Sequence, residues 1–355
     1  MKSFSYTSLP SRVIFGSGTL KSLGDEIKRL GCARALILST PQQEEEARAL
    51  AAQIGPQAAG LYANATMHTP VTVTDAALAV VKELKADVTV ALGGGSTTGL
   101  GKAIALRTDL PQIVIPTTYA GSEATPILGE TKDGLKTTQR SMKVLPEVIL
   151  YDVDLTLTLP VGLSVTSGMN AIAHAVEGLY AQDANPITSL MAEEAIRALA
   201  QALPIIVKEP KNVGARSDAL YGAWLCGICL GTVGMALHHK LCHTLGGTFD
   251  LPHAETHTVV LPHAVAYNAP AAPEAMMRLA RALGVSDPVR GLYDLEVMLG
   301  APTSLKQLGM PQEGLVEAAD LALANPYWNP RPLERNAIRA LLENAWAGRP
   351  PSSSG

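Results

Sequence analysis

"VTVALGGGSTTGLGKA", residues 88–103, runs apolar for five residues, breaks into three glycines and then turns polar. A short continuous apolar run bounded by glycine is the pattern of a strand buried on both faces, as in a parallel sheet. Gly93, Gly94 and Gly95 let backbone amides approach a phosphate, and Ser96 opens a helix whose N-terminus favours negative charge. No standard fingerprint fits the spacing. GxGxxG fails at Thr98, and a P-loop ending in Gly101-Lys102 needs glycine at 96, where serine stands. Taken alone, the loop is also compatible with a plain strand-to-helix turn. Its place at the carboxyl end of a strand, where open α/β sheets bind ligands, favours a nucleotide site.

The same alternation extends on both sides. "RVIFGSG" (12–18), "ARALILST" (33–40), "PQIVIPTTYAGSE" (111–123) and "EVILYDVDL" (147–155) are strand-like. "TLKSLGDEIKRL" (19–30), "QQEEEARALAAQI" (42–54) and "TDAALAVVKELKA" (74–86) carry apolar residues at helical spacing. Strands alternating with helices predict a Rossmann-like, dinucleotide-binding α/β domain with a parallel sheet. After Pro160 the strand signal stops and helical runs dominate, so an all-α domain follows. The expected domains are residues 1–158 and 159–355, in line with a 355-residue chain. The tail "RPPSSSG" is expected to fray. At the second strand end, Thr117, Thr118 and Ser122 offer hydroxyls to the same cofactor.

Composition excludes several classes. A net charge of −4 with no basic run argues against nucleic acid and anionic membranes. Residues 219–237 run uncharged, but their glycines suit a helix buried at the centre of a helical domain rather than one in a bilayer. Cys226 and Cys229 form an isolated CxxC inside that run and read as small core residues. The start carries no apolar leader segment, so a reduced cytoplasmic protein is expected.

Six of the eight histidines lie between residues 238 and 263. His239 and His243 are four apart, as are Asn170 and His174 in "GMNAIAHAVE", so each pair shares a helix face. His253 follows in "LPHAE". A zincin helix would need glutamate at 240, where lysine stands. Such a set of imidazoles and one amide points to a functional site.

Together, GGGS, PTT-x-x-GSE, G-M-N-x-x-x-H and H-x3-H-x9-P-H resemble the iron-containing alcohol dehydrogenase family over essentially the whole chain. That resemblance implies the dehydroquinate synthase-like fold, a site in the cleft between the two domains and a homodimer. It also implies cofactor contacts at Gly93, Gly94, Gly95, Ser96, Thr117, Thr118 and Lys136. His174, His239 and His253 match the family's metal-binding histidines, and His243 matches the one beside nicotinamide and substrate. The family's metal-binding aspartate is Asn170 here. Asn offers a neutral oxygen, a poor ligand for a transition metal, although three histidines alone can hold zinc. No obligatory metal is therefore expected, with Asn170, His174, His239 and His253 a vestigial site. Thr40 lies where NAD-selective members carry aspartate, so NADH and NADPH are both expected cofactors.

The wording of these motifs is closest to a branch that reduces the double bond of a small dicarboxylate enone. For a dianion, losing a carboxylate from the pocket removes repulsion and leaves N–H donors for an oxyanion. The expected catalytic residues are His243, Tyr119 and His253. Asn170, His174, His239, His253 and Tyr119 are expected to bind substrate. Arg140, Lys143 and Arg331 are candidate carboxylate anchors, while His238, His257 and His263 are read as structural. The alternatives are an iron- or zinc-dependent alcohol or polyol dehydrogenase, a lyase on the same fold, and a nucleotide-binding protein without catalysis.

Overall fold

The computed structural model describes residues 3–351; the last four residues of the tail expected to fray lie outside that range. Two compact units emerge, Ser8–Leu159 and a second built on Pro160–Gly355 together with the first residues of the chain.

The first unit is an α/β sandwich. Its strands are β1 (Arg12–Gly16), β2 (Ala35–Leu38), β3 (Ala58–Tyr62), β4 (Val88–Gly93), β5 (Gln112–Pro116) and β8 (Val148–Asp152), separated by a hairpin of β6 (Ile127–Lys132) and β7 (Leu135–Arg140). Helices α1 (Leu23–Arg29), α2 (Glu44–Ile54), α3 (Val71–Leu84) and α4 (Gly95–Thr108) connect them. The six-stranded sheet has the order β1-β8-β5-β4-β2-β3, every pair parallel. β2, β4, β5 and β8 are buried at every residue, which is why their sequences are dominated by Val, Ile, Leu and Ala. One core on this sheet gathers Leu23, Ile27, Leu50 and Ile113, and another gathers Leu36, Leu38, Leu100 and Val114. From β2 the chain steps outward to β3 and then returns to β4 on the other side of β2. The carboxyl ends of β2 and β4 therefore flank a topological switch point, the place where such sheets bind ligands.

The second unit is helical: α5 (Val161–Leu179), α6 (Pro186–Lys208), α7 (Val213–Thr232), α8 (Leu237–Phe249), α9 (His253–Asn268), α10 (Pro273–Leu283), α11 (Pro288–Leu299), α12 (Gly314–Leu323) and α13 (Arg335–Ala347). Asn185 starts α6 with a reciprocal capping box to Thr188. α5, α6 and α7 pack on one another; at Gly222 an added Cβ would lie 3.0 Å from the Ala195 carbonyl, so only glycine allows this approach. The uncharged run 219–237 ends α7 and enters α8. No single helix among the described residues is long and apolar enough to cross a membrane, and α7 and α8 are bent by 95° at their break. Cys226 and Cys229 are fully buried within α7, and burial pushes the Cys229 thiol up to about 12.

Candidate active site

In the α/β unit the glycine loop expected to hold a cofactor phosphate forms at the switch point. Gly93 adopts φ +146°, where a Cβ would lie 2.6 Å from Thr97 Oγ1 and 2.7 Å from Gln43 Oε1. The cradle between β4 and β2 is thus open because residue 93 has no side chain. Gly94 caps α4 without a side-chain hydrogen bond, leaving first-turn amides for an anion. A Cβ on Gly94 would come within 3.1 Å of Thr118 Oγ1. The loop after β5 is tied back by Thr117 N–H donating to the Gly93 carbonyl at 3.1 Å, while Gln43 Nε2 donates to Thr117 Oγ1 at 3.1 Å. Gly93 to Ser96, Thr117, Thr118 and Ser122 are thereby brought together. Thr40 begins the turn after β2 and is half-buried. Tyr119 is wholly buried. Lys136 lies in β7, with its side chain outside the described set.

Two residues of this unit escaped sequence reading. Gln43 is one. Lys102 is the other: its fully buried ammonium donates to the carbonyls of Ser122 (2.6 Å), Thr125 (2.7 Å) and Ile127 (2.9 Å) and to Thr125 Oγ1 (2.9 Å). It staples the second cofactor loop to α4. Burial pulls its pKa down to about 7, with nearby Glu123 acting against that fall.

In the helical unit α5, α8 and α9 build an imidazole cluster. Asn170 and His174 share one face of α5, both buried. The His174 and His239 rings lie 5.1 Å apart, and His239 and His257 lie 5.0 Å apart. His253 stacks 4.3 Å from His257, and His243 is 6.1 Å from His239. His174, His239, His238 and His257 form a buried floor, whereas His243 and His253 are exposed. His238 and His257, read from sequence as structural, are therefore part of the same cluster. They share a 3.0 Å hydrogen bond between His238 Nε2 and His257 Nδ1, with Cys242 Sγ 3.7 Å from His238 Nε2. Burial, reinforced by neighbouring imidazoles, holds His174, His238 and His257 well below the usual histidine pKa, so they are neutral at pH 7. His263, further along α9, is pushed down to about 4 by burial.

Several polar atoms of this floor are buried without a partner: Asn170 Oδ1, His174 Nδ1, His239 Nε2 and His257 Nε2. Buried polar atoms in that condition call for a partner such as water, an ion or a ligand. Among the described residues, one trio of metal-type side chains has its ligand atoms within 4.8 Å of one another: His238, Cys242 and His257. His174, His239 and His253, expected from the sequence resemblance to mark the metal positions, are not such a trio.

Glu177 is the functional residue that sequence reading passed over. Its carboxylate takes a 2.7 Å hydrogen bond from His239 Nδ1 and others from the start of α8. The signal was present, because Glu177 is the one Asp, Glu, Lys or Arg in α5. Of the candidate carboxylate anchors, Lys143 pairs with Asp109 at 3.3 Å on the surface. Arg331 lies over the Tyr267 ring at 4.5 Å and donates to the Tyr267 carbonyl. Arg140 closes the β6–β7 hairpin opposite Ile127.

The sequence matches the iron-containing alcohol dehydrogenase model over residues 10–153 and the Fe-containing alcohol dehydrogenase family, C-terminal model over residues 164–346. The chain belongs to this iron-containing alcohol dehydrogenase family. It is 61% identical to a maleylacetate reductase of Sphingobium indicum, over 98% of this chain and 99% of that protein. The structure matches maleylacetate reductase from Agrobacterium tumefaciens with a TM-score of 0.97 and 57% identity, covering 99% of this chain and 100% of the other. An iron-containing alcohol dehydrogenase from Corynebacterium glutamicum gives a TM-score of 0.95 at 43% identity, covering 100% and 99%.

Proposed function

We infer that the chain is a maleylacetate reductase, an NAD(P)H-dependent oxidoreductase that reduces the maleylacetate double bond to give 3-oxoadipate. The observation that carries this reading is full-length likeness to reductases of that name at 52–61% identity. The alternative, a metal-dependent alcohol dehydrogenase, draws on the Corynebacterium glutamicum structure at 43% identity and on a putative alcohol dehydrogenase from Ralstonia eutropha JMP134 at 57%.

The cofactor pyrophosphate would rest on Gly93 to Ser96 at the start of α4, with Thr117, Thr118, Ser122 and Lys136 as further contacts. Thr40 places no carboxylate against a ribose 2′-phosphate, so both NADH and NADPH are accepted. A bound nicotinamide would supply the hydride for the alkene carbon β to the ketone, which would leave enolate charge on the ketone oxygen. The enolate oxygen then needs hydrogen-bond donors, and the α-carbon needs a proton. His243 and His253, exposed at the rim of the cluster, suit proton delivery because they can exchange with water. Tyr119 is the third proposed catalytic group. Asn170, His174 and His239 line the substrate side from the buried floor.

The donor set does not fit a tightly held iron. Asn170 supplies a neutral oxygen where the charged ligand would be. His174, His239 and His253 are not gathered into a ligand trio, and the one carboxylate in contact, Glu177, is occupied by N–H donors. We therefore propose no obligatory metal, and add a homodimer in the cytoplasm with a small dicarboxylate as partner and neither nucleic acid nor membrane. The test is loss of NADH absorbance with maleylacetate, set against gain of NADH absorbance from NAD+ with ethanol or glycerol. Rapid turnover of the alcohols with none of maleylacetate would overturn the assignment.

A further inference from the structure

Glu177 is wholly buried, three residues beyond His174 on the α5 face that also carries Asn170. A buried carboxylate is tolerated only when donors surround it. Oε1 accepts from His238 N–H at 2.8 Å; Oε2 accepts from Ala236 N–H at 2.9 Å, His239 N–H at 3.4 Å and His239 Nδ1 at 2.7 Å. Helix α8 begins on Ala236, which has no capping side chain. The first four N–H groups of a helix lack intrahelical partners. Here three go to Glu177 and the fourth, on Leu237, to Asn329 Oδ1 at 3.3 Å. The cap of α8 is thus supplied from another helix.

This contact decides what His239 shows the cluster. The Glu177 oxygens already accept three backbone N–H groups, so the ring nitrogen 2.7 Å away is placed to donate a hydrogen to them. Nε2, on the far side of the ring, is buried without a partner. The Glu177 charge is meanwhile shared among four N–H donors and the α8 dipole, so a dianionic substrate meets little of it. That reconciles a carboxylate beside the site with a negatively charged substrate.

We propose that Glu177 is a positioning residue: it caps α8 and, through the same carboxylate, fixes the ring and the Nδ1 hydrogen of His239, so that Nε2 is held at one place on the buried floor. The kinetic consequence rests on the reductase reading; the hydrogen placement does not, so the two fail separately.

Two measurements test it on the full-length chain. Long-range proton–nitrogen correlation spectra of protein labelled in histidine give the tautomer directly, with His239 identified by loss of its signals in His239→Gln. The expected pattern is a hydrogen on Nδ1; a His239 ring with Nδ1 bare overturns the proposal. Glu177→Gln supplies the second. It keeps the size but replaces one acceptor by a donor facing α8 amides. The expected result is a folded protein with unchanged NADH affinity, a mixed His239 tautomer and a kcat with maleylacetate lowered about 10- to 100-fold. A folded Glu177→Gln protein with lower melting temperature but wild-type kcat and tautomer would show a cap and nothing more, and would also overturn it.

Discussion

Replacing Asn170 by aspartate isolates the charge on which the substrate reading depends. Asn170 is 4% exposed and its Oδ1 has no partner, so the isosteric carboxylate would enter the floor without displacing anything. The rings of the cluster set the length scale, with His174 and His239 5.1 Å apart. A substrate carboxylate at about 5 Å from the new charge, with an effective dielectric constant of about 20, is opposed by about 3 kcal/mol. That amounts to roughly two orders of magnitude in kcat/KM. A carboxyl buried there is also raised in pKa, so the loss should deepen as pH rises and more of it ionises. The assay is steady-state reduction of maleylacetate by NADH in chelator, with NADH affinity measured separately and expected to stay constant. If Asn170→Asp kept kcat/KM within about threefold of wild type across pH 6–8, electrostatic repulsion at this position would not be what the asparagine relieves.

Other perturbations reach different parts of the structure. Gly93→Ala forces a Cβ to within 2.6 Å of Thr97 Oγ1 at a positive φ, costing about 1–3 kcal/mol; fluorescence titration should show weakened NADH binding, and unchanged affinity would remove Gly93 from the cofactor site. Lys102→Met strips the ammonium from four oxygens, so melting temperature should drop and NADH affinity fall about tenfold or more; a variant as tight and stable as wild type would mean the staple is dispensable. Acidification should destabilise the fold. His174, His238, His257 and His263 are lowered in the folded state, so their contribution is full above pH 6.5 and declines below it. Glu123 and Glu296 are raised by burial and act the opposite way. The net difference of about two protons corresponds to about 2.7 kcal/mol per pH unit between roughly pH 6 and 5. Urea unfolding at stepped pH checks this, and stability that stays flat or grows toward pH 5 would contradict it.

The strands of the sheet were legible in sequence except β3, most plainly those buried at every residue. β2 is wholly apolar and β4, β5 and β8 are mostly so, because helices cover both sides of the sheet. β3 was not found: "AAGLY" is half-buried and too short to carry a pattern. The β6–β7 hairpin also went unread, since "ILGETK" and "LKTTQR" mix glycine, threonine and charge, and only their pairing makes them strands. In the site, helical spacing placed Asn170 with His174 and His239 with His243. It did not reveal that His238 turns inward to His257, because that depends on how α8 and α9 pack. Glu177 escaped for the same reason, its partners lying 59 to 62 residues away. Gln43 and Lys102 stayed hidden because their roles are contacts with a loop that no periodicity describes.

The most direct test of the central claim is turnover by protein stripped of metal. Chelator-treated enzyme, verified metal-free by elemental analysis, should oxidise NADH with maleylacetate at the rate of untreated enzyme, and added iron or zinc should not raise it. Loss of turnover on stripping, with recovery at one equivalent of iron or zinc per subunit, would contradict the account.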